Sequence, residues 1–256
     1  MIALLRFSVN GRDNGNTAAL LYNSAYVLYN GSNFRGGGGA VADINEALRY
    51  LGAAAAGDDL RERMQQAMAE AEQFAPRYTW RASRVEHRAD GEWLADVALL
   101  LGGRSAAKML AECDTAAVLV CTLGTAFDDH VRRMQSRDMA RAVMLDACGS
   151  ALVEEGCDRA QEEILRRFPG MHLTDRFSPG YGDLSLSMQP SIIAVTDSTR
   201  RLGVHVTPSC LMSPQKSVTA VIGLAHSPQR ARIRGCAFCA LRSTCTLRKG
   251  GHSCDD

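Results

Sequence analysis

The chain has 256 residues and a mass of 27.7 kDa, enough to bury a sizeable core in one large domain or two small ones. Apolar residues make up 46% and charged residues 22%, an ordinary globular balance that excludes a disordered or fibrous chain. Twenty-nine Lys and Arg against 28 Asp and Glu leave a net charge of +1, which argues against a dedicated nucleic-acid or anionic-membrane binder.

Residues 1–42 carry NGRDNGN, YNGSN and the run Gly36–Gly39 with little apolar periodicity, and they read as a flexible leader. No GK[ST] follows the glycines, so they are not a phosphate-binding loop. The N-terminus MIALLRFSVNGRDNG lacks the apolar core and cleavage site of a signal peptide, and no stretch reaches the roughly 18 apolar residues of a membrane span. The expected compartment is the cytoplasm.

Regular structure is predicted from Asp43, where D-x-x-E offers a capping pattern for a short helix ending at Gly52. A second helix is expected over Asp59–Phe74, stopped by Pro76. Residues 77–87 alternate and contain aromatics, which predicts a strand. Ser105 is placed to cap a short helix reaching Cys113, and Ala116–Leu123 reads as a short apolar strand. Helical spacing returns over Ala126–Met134 and, beyond Ser136, runs to about Phe168 through Ala142, Leu145, Cys148, Leu152, Ala160 and Ile164. Ser191–Thr196, Val204–Val206 and Ser217–Leu224 are short β-like runs. The predicted class is α+β, a twisted antiparallel sheet flanked by helices.

Between the long helix and those runs lies Arg176-Phe177-Ser178-Pro179-Gly180-Tyr181-Gly182-Asp183, with Pro179-Gly180 a strong turn signal. An arginine before a tight turn can clamp a carboxylate through two parallel hydrogen bonds. Gly180 lets the backbone approach a ligand, and the Tyr181 ring can attract a cation or stack on a base. Carboxylate, cation and purine together describe S-adenosylmethionine, although R-x-x-x-G-Y by itself is a short motif that a plain structural turn also satisfies.

In order along the chain, INEALRYLG (44–52), TLGTAFDDHV (122–131), LDACGSALVEEGCD (145–158), RFSPGYGD (176–183) and PSCLMSPQKSVTAVIGLAH (208–226) resemble the activation domain of vitamin B12-dependent methionine synthase. The likeness is greatest to free-standing bacterial proteins made of that domain alone, and it covers residues 43–235. It implies a domain that binds S-adenosylmethionine and supports reductive methylation of a corrinoid in trans, as a methyltransferase component of the methionine synthase system. Arg176 matches the arginine that holds the methionyl carboxylate. Ser178, Gly180 and Tyr181 match ligand-lining positions, and Ile222 and Gly223 stand on the strand behind, where the family pattern has aromatics. Glu154 and Glu155 fall where the family supplies acidic residues near the sulfonium, with solvated helix charges the alternative. No D-x-H-x-x-G cobalt-ligand motif is present, so cobalamin is expected on a partner, a corrinoid protein or a methionine synthase lacking its own activation domain. Lys216 in P-x-K-S-V either faces that partner or is an ordinary exposed lysine. A flavodoxin- or ferredoxin-type protein is the implied electron donor.

Four of the nine cysteines, Cys236, Cys239, Cys245 and Cys254, crowd into residues 236–256. Four thiolates suit a [4Fe–4S] cluster or tetrahedral zinc, and the spacing matches neither the zinc-ribbon nor the ferredoxin template; free thiols remain an alternative. An iron–sulfur centre would supply the electron that reductive reactivation requires. The competing reading keeps the fold and makes the chain a metal-cysteine redox or interaction module without S-adenosylmethionine binding.

Overall fold

A computed structural model describes residues 29–31, 42–53, 55–229 and 243. In chain order the elements are β1 (Tyr29–Gly31), α1 (Ile44–Tyr50), α2 (Asp58–Ala71), β2 (Arg77–Arg88), β3 (Gly91–Leu94), β4 (Leu99–Leu101), α3 (Arg104–Leu110), β5 (Thr115–Thr122), α4 (Thr125–Gln135), α5 (Met139–Arg167), β6 (His172–Leu173), α6 (Gln189–Thr196), α7 (Ser198–Leu202), β7 (His205–Val206), β8 (Met212–Ser213) and β9 (Ser217–Ala225). The fold is α+β. Its main sheet is antiparallel in the order β4-β3-β2-β5-β9-β6, with β1 pairing on the first half of β2.

β5 is central and covered on both faces, which is why AAVLVC reads as a continuous apolar run rather than an alternation. Ala117, Leu119 and Cys121 face one core, closed by α1, α2, α4 and α5. Ala116, Val118 and Val120 face a second core, closed by α3, α6 and α7. The 29-residue α5 spans about 43 Å at 1.5 Å per residue. Asp138 caps it by accepting from the Arg141 N–H at 3.0 Å. Two glycines let α5 lie close to its neighbours. A Cβ on Gly149 would stand 2.4 Å from the Phe127 ring, and one on Gly156 would stand 2.6 Å from Pro76 Cβ and 2.7 Å from Cys121 Sγ.

Several local expectations need correction. Ser191–Thr196 belongs to helix α6, not to a strand. Pro190 sits in its first turn, and Ile192 and Ile193 are buried in the second core. An apolar run this short has no decisive period, and packing decides its state. Asp43 caps α1 through the Asn45 N–H at 2.8 Å, while Glu46 turns to Arg49 at 3.2 Å, so the reciprocal capping box does not form. β3 and β4 extend β2 into an antiparallel meander. β1 places a strand within the segment read as leader.

Candidate functional site

The chain leaves α5, forms β6 on β9, and stays against β9 as it enters the R-x-x-x-G-Y loop. Thr174 N donates to Gly223 O at 2.9 Å, and Phe177 and Val221 exchange both backbone bonds at 3.1 and 2.8 Å. This edge alternation buries Phe177 in the second core and leaves Arg176 beside α5. The turn is tied by Tyr181 N to Ser178 O at 3.0 Å and Gly180 N to Leu184 O at 2.7 Å. Gly180 and Gly182 have φ of 96° and 54°, the left-handed region that glycine enters without strain.

The end of the loop is latched to α3. The Asp183 carboxylate accepts from the N–H groups of Arg104 and Ser105, each at 2.8 Å. Gly182 is pressed so close that a Cβ there would stand 2.2 Å from Ser105 Oγ. Ser105 was expected to cap this helix. Gly103 holds the cap position instead, and an aspartate 78 residues away supplies the acceptor. Hydrogen bonds from Ser105, its side chain foremost, and from Arg104 hold the Asp183 carboxyl down at about 2, against an ordinary 3.8. A depressed carboxylate stabilises the fold above the unfolded-state value, and that contribution is lost as pH falls through the folded value. Asp183→Asn is therefore expected to lower the thermal midpoint by a few degrees at pH 7. The gap to wild type should close as pH drops from about 4 towards 2. Calorimetric scans across that range check it, and a gap independent of pH would contradict the latch.

Arg176 projects onto one stripe of α5, where Glu154, Asp158 and Gln161 stand at helical spacing. Its Nη2 donates to Glu154 Oε2 at 2.7 Å, and its Nη1 donates to Asp158 Oδ1 and Gln161 Oε1. The guanidinium side chain is 21% exposed, Glu154 28% and Asp158 65%. Burial works against the Arg176 charge, but the neighbouring groups, Asp158 and Glu154 among them, outweigh it and hold the charge above its ordinary value. Tyr50, at the end of α1, is about half-exposed and Tyr181 more so, and Tyr181 stands near enough to Tyr50 to act on its hydroxyl. Burial, then Glu154 and Glu46, push the Tyr50 hydroxyl up to about 12. Burial also raises the Glu46 carboxyl, reinforced by Glu154 and Asp158 against the pull of Arg49. Two guanidinium groups (Arg176 and Arg49), three carboxylates and two phenol rings thus share one region of the surface.

The loop positions Arg176, Ser178, Gly180 and Tyr181 are brought together. Ile222 and Gly223 stand on β9, the strand against which the loop is paired. Ile222 is fully buried in the core under α5, and a Cβ on Gly223 would meet Cys113 Sγ at 2.5 Å, Leu110 at 2.8 Å and Thr174 at 2.9 Å. Glu154 belongs to the site, whereas Glu155 turns to Arg159 on the same helix. Lys216 is held on α5 by Asp146 and Ser150, each at 2.9 Å. Tyr50, Glu46, Asp158 and Gln161 were not singled out from the sequence. The i, i+4, i+7 spacing of 154, 158 and 161 was the available signal, but only an arginine from another element gives it meaning.

Cys236, Cys239, Cys245 and Cys254 lie outside the described residues. Among the described residues no group of three or more His, Cys, Asp or Glu is arranged to hold a metal ion, and no helix is long and apolar enough to cross a membrane. A recess of about 480 Å³ between α1 and α2, lined by residues such as Asp43, Gln65, Met68 and Glu72, includes none of the groups around Arg176.

No sequence family and no characterised protein matches the chain in sequence. Among solved structures it is similar to the crystal structure of the MetH reactivation domain bound to AdoHcy. The match has a TM-score of 0.50 and 14% identity, and it covers 77% of this chain and 74% of that one. At that identity the likeness is one of fold.

Proposed function

We propose that this chain binds S-adenosylmethionine at the Arg176–Tyr181 loop and supports, in trans, the reductive methylation of a cobalamin-dependent methionine synthase or a related corrinoid protein. The observation that carries the reading is the placement of Arg176. It stands at the turn of the R-x-x-x-G-Y loop, half-buried against Glu154 and in one region with Tyr181 and Tyr50, on a fold similar to a domain solved with AdoHcy bound. The chemistry fits the ligand part by part. A guanidinium can pair a carboxylate through two bonds. Carboxylates such as Glu154 and Glu46 attract an ammonium or a sulfonium. A phenol face takes a cation or a base.

The sulfonium activates its own methyl group, so the protein needs no nucleophile. Its contribution is to hold the donor in line with an acceptor on the partner. In this reading Ser178 and Gly180 present backbone to the ligand, Arg176 fixes one end of it, and the acidic groups of α1 and α5 face its positive centre. Cobalamin arrives on the partner protein, and a flavodoxin- or ferredoxin-type donor or the tail itself supplies the electron.

Calorimetric titration of S-adenosylmethionine and AdoHcy into anaerobically purified protein tests the reading, and saturable one-site binding is the expected result. A folded protein that binds neither would sink it and leave a redox or interaction module. The tail is a separate part of the proposal. Iron, sulfide and zinc analysis of the same preparation is expected to give about four irons and four sulfides per chain for a [4Fe–4S] cluster. One zinc in their place would remove the electron-transfer role.

A further inference from the structure

The arginine expected to clamp a ligand carboxylate is not waiting with open hands. Its Nη1 donates to Asp158 and Gln161 and its Nη2 to Glu154. These partners differ in how firmly they are held. Glu154 is 28% exposed and lies on the side of the buried Cys157 and of Tyr50. Asp158, one turn further along α5, is 65% exposed, and its carboxylate can regain water at little cost when it lets go. A half-buried guanidinium with a firm partner on one nitrogen and a loose carboxylate on the other is already occupied, but by a replaceable group.

We infer that Asp158 is an internal stand-in for the ligand's carboxylate: it pairs with Arg176, is displaced when a ligand binds, and thereby sets which ligands bind well. The inference rests on the proposed site at Arg176 and deepens it. An incoming amino-acid carboxylate must exchange with Asp158, so the arginine contributes only the difference between two similar ion pairs. Asp158 stays nearby after release. Its negative charge then opposes the ligand carboxylate and attracts any positive centre on the same ligand. The charged sulfonium donor recovers part of what the exchange costs, and the neutral thioether product does not. Asp158 therefore disfavours product more than donor. Glu46 and Glu154 add to the same negative field, while Arg49, paired to Glu46 at 3.2 Å, offsets part of it.

The test is a titration of AdoHcy, S-adenosylmethionine and 5′-methylthioadenosine into the full-length wild type, Asp158→Asn and Arg176→Ala. The third ligand keeps the adenosine and thioether but has no amino acid. Asp158→Asn is expected to bind AdoHcy about fivefold more tightly, the equivalent of one half-exposed ion pair. Its gain for S-adenosylmethionine should be smaller, and it should bind 5′-methylthioadenosine as wild type does. A merely structural role would shift all three ligands together and move the ligand-free thermal midpoint. If wild type binds AdoHcy through Arg176 but Asp158→Asn binds it equally or more weakly, or gains equally for 5′-methylthioadenosine, the stand-in role is wrong while the site assignment survives. If wild type does not bind and Asp158→Asn does, the block is stronger than inferred and the role stands. If neither binds, both the site and the stand-in role fall.

Discussion

Arg176→Ala is expected to weaken AdoHcy binding about 100-fold, or ~2.7 kcal/mol, while leaving the protein folded. The substitution removes the one positive charge that Glu154 and Asp158 share. It does more than delete a hydrogen bond, because the two carboxylates are left facing the ligand's own carboxylate with nothing between. At an effective dielectric constant of about 20, each like-charge contact at 4 Å is worth up to ~4 kcal/mol, reduced here by the water that reaches Asp158. Arg176→Lys keeps a charge and loses the planar fork, so it should fall between, about tenfold weaker than wild type. Stability should fall only modestly: Asp158 is largely solvated and loses little, while Glu154, 28% exposed, gives up its partner and regains part of its hydration. Calorimetry paired with thermal scans separates the two effects. Undiminished affinity in Arg176→Ala would show that the carboxylate is held elsewhere.

The core of the sheet was legible in the sequence because β5 is a buried, apolar run, β9 carries a mostly apolar stretch from Ala220 to Ala225, and α5 repeats its apolar positions over many turns. Burial of that kind leaves a local trace. α6 left a misleading one. Its Ile192 and Ile193 carry strand propensity, but Pro190 and the second core stabilise a single short helix. The loop motif was legible as a turn with an arginine before it. What Arg176 touches was not, because Glu154, Asp158 and Gln161 come from an element 15 to 22 residues away in sequence, and their register against the loop is fixed by its edge pairing along β9, Thr174 with Gly223 and Phe177 with Val221. The Asp183 latch on α3 is further removed still, since Ser105 carries the local capping signal and a remote aspartate does the capping.

The same limit governs Gly223, where the methionine synthase activation domains that the sequence resembles have an aromatic and this chain does not. Replacing the glycine to restore that pattern is expected to damage the fold rather than improve the site. The backbone of Gly223 is enclosed on both sides: on one it donates to Thr174 Oγ1 at 2.8 Å and accepts from Thr174 N at 2.9 Å, and on the other it pairs with Ala116 of β5. Its missing Cβ would already stand 2.5 Å from Cys113 Sγ, 2.8 Å from Leu110 Cδ2 and 2.9 Å from Thr174 Cγ2. Two of these neighbours, Cys113 and Leu110, belong to the second core and have no room to withdraw. Gly223→Ala should therefore cost ~1–2 kcal/mol, and Gly223→Phe ~3 kcal/mol or more, by overpacking between α3 and the sheet. For a domain of this size that corresponds to a fall in thermal midpoint of about 6–12 °C for the phenylalanine variant. Neither variant should bind AdoHcy more tightly, because a side chain at 223 points into the packing around α3 and not toward Arg176. Gly223→Phe with an unchanged midpoint and tighter binding would mean that β9 presents this position to the ligand after all. Paired with Cys113→Ala, which opens space at the nearest clash, the phenylalanine should recover part of the lost midpoint, as coupled neighbours do and independent sites do not.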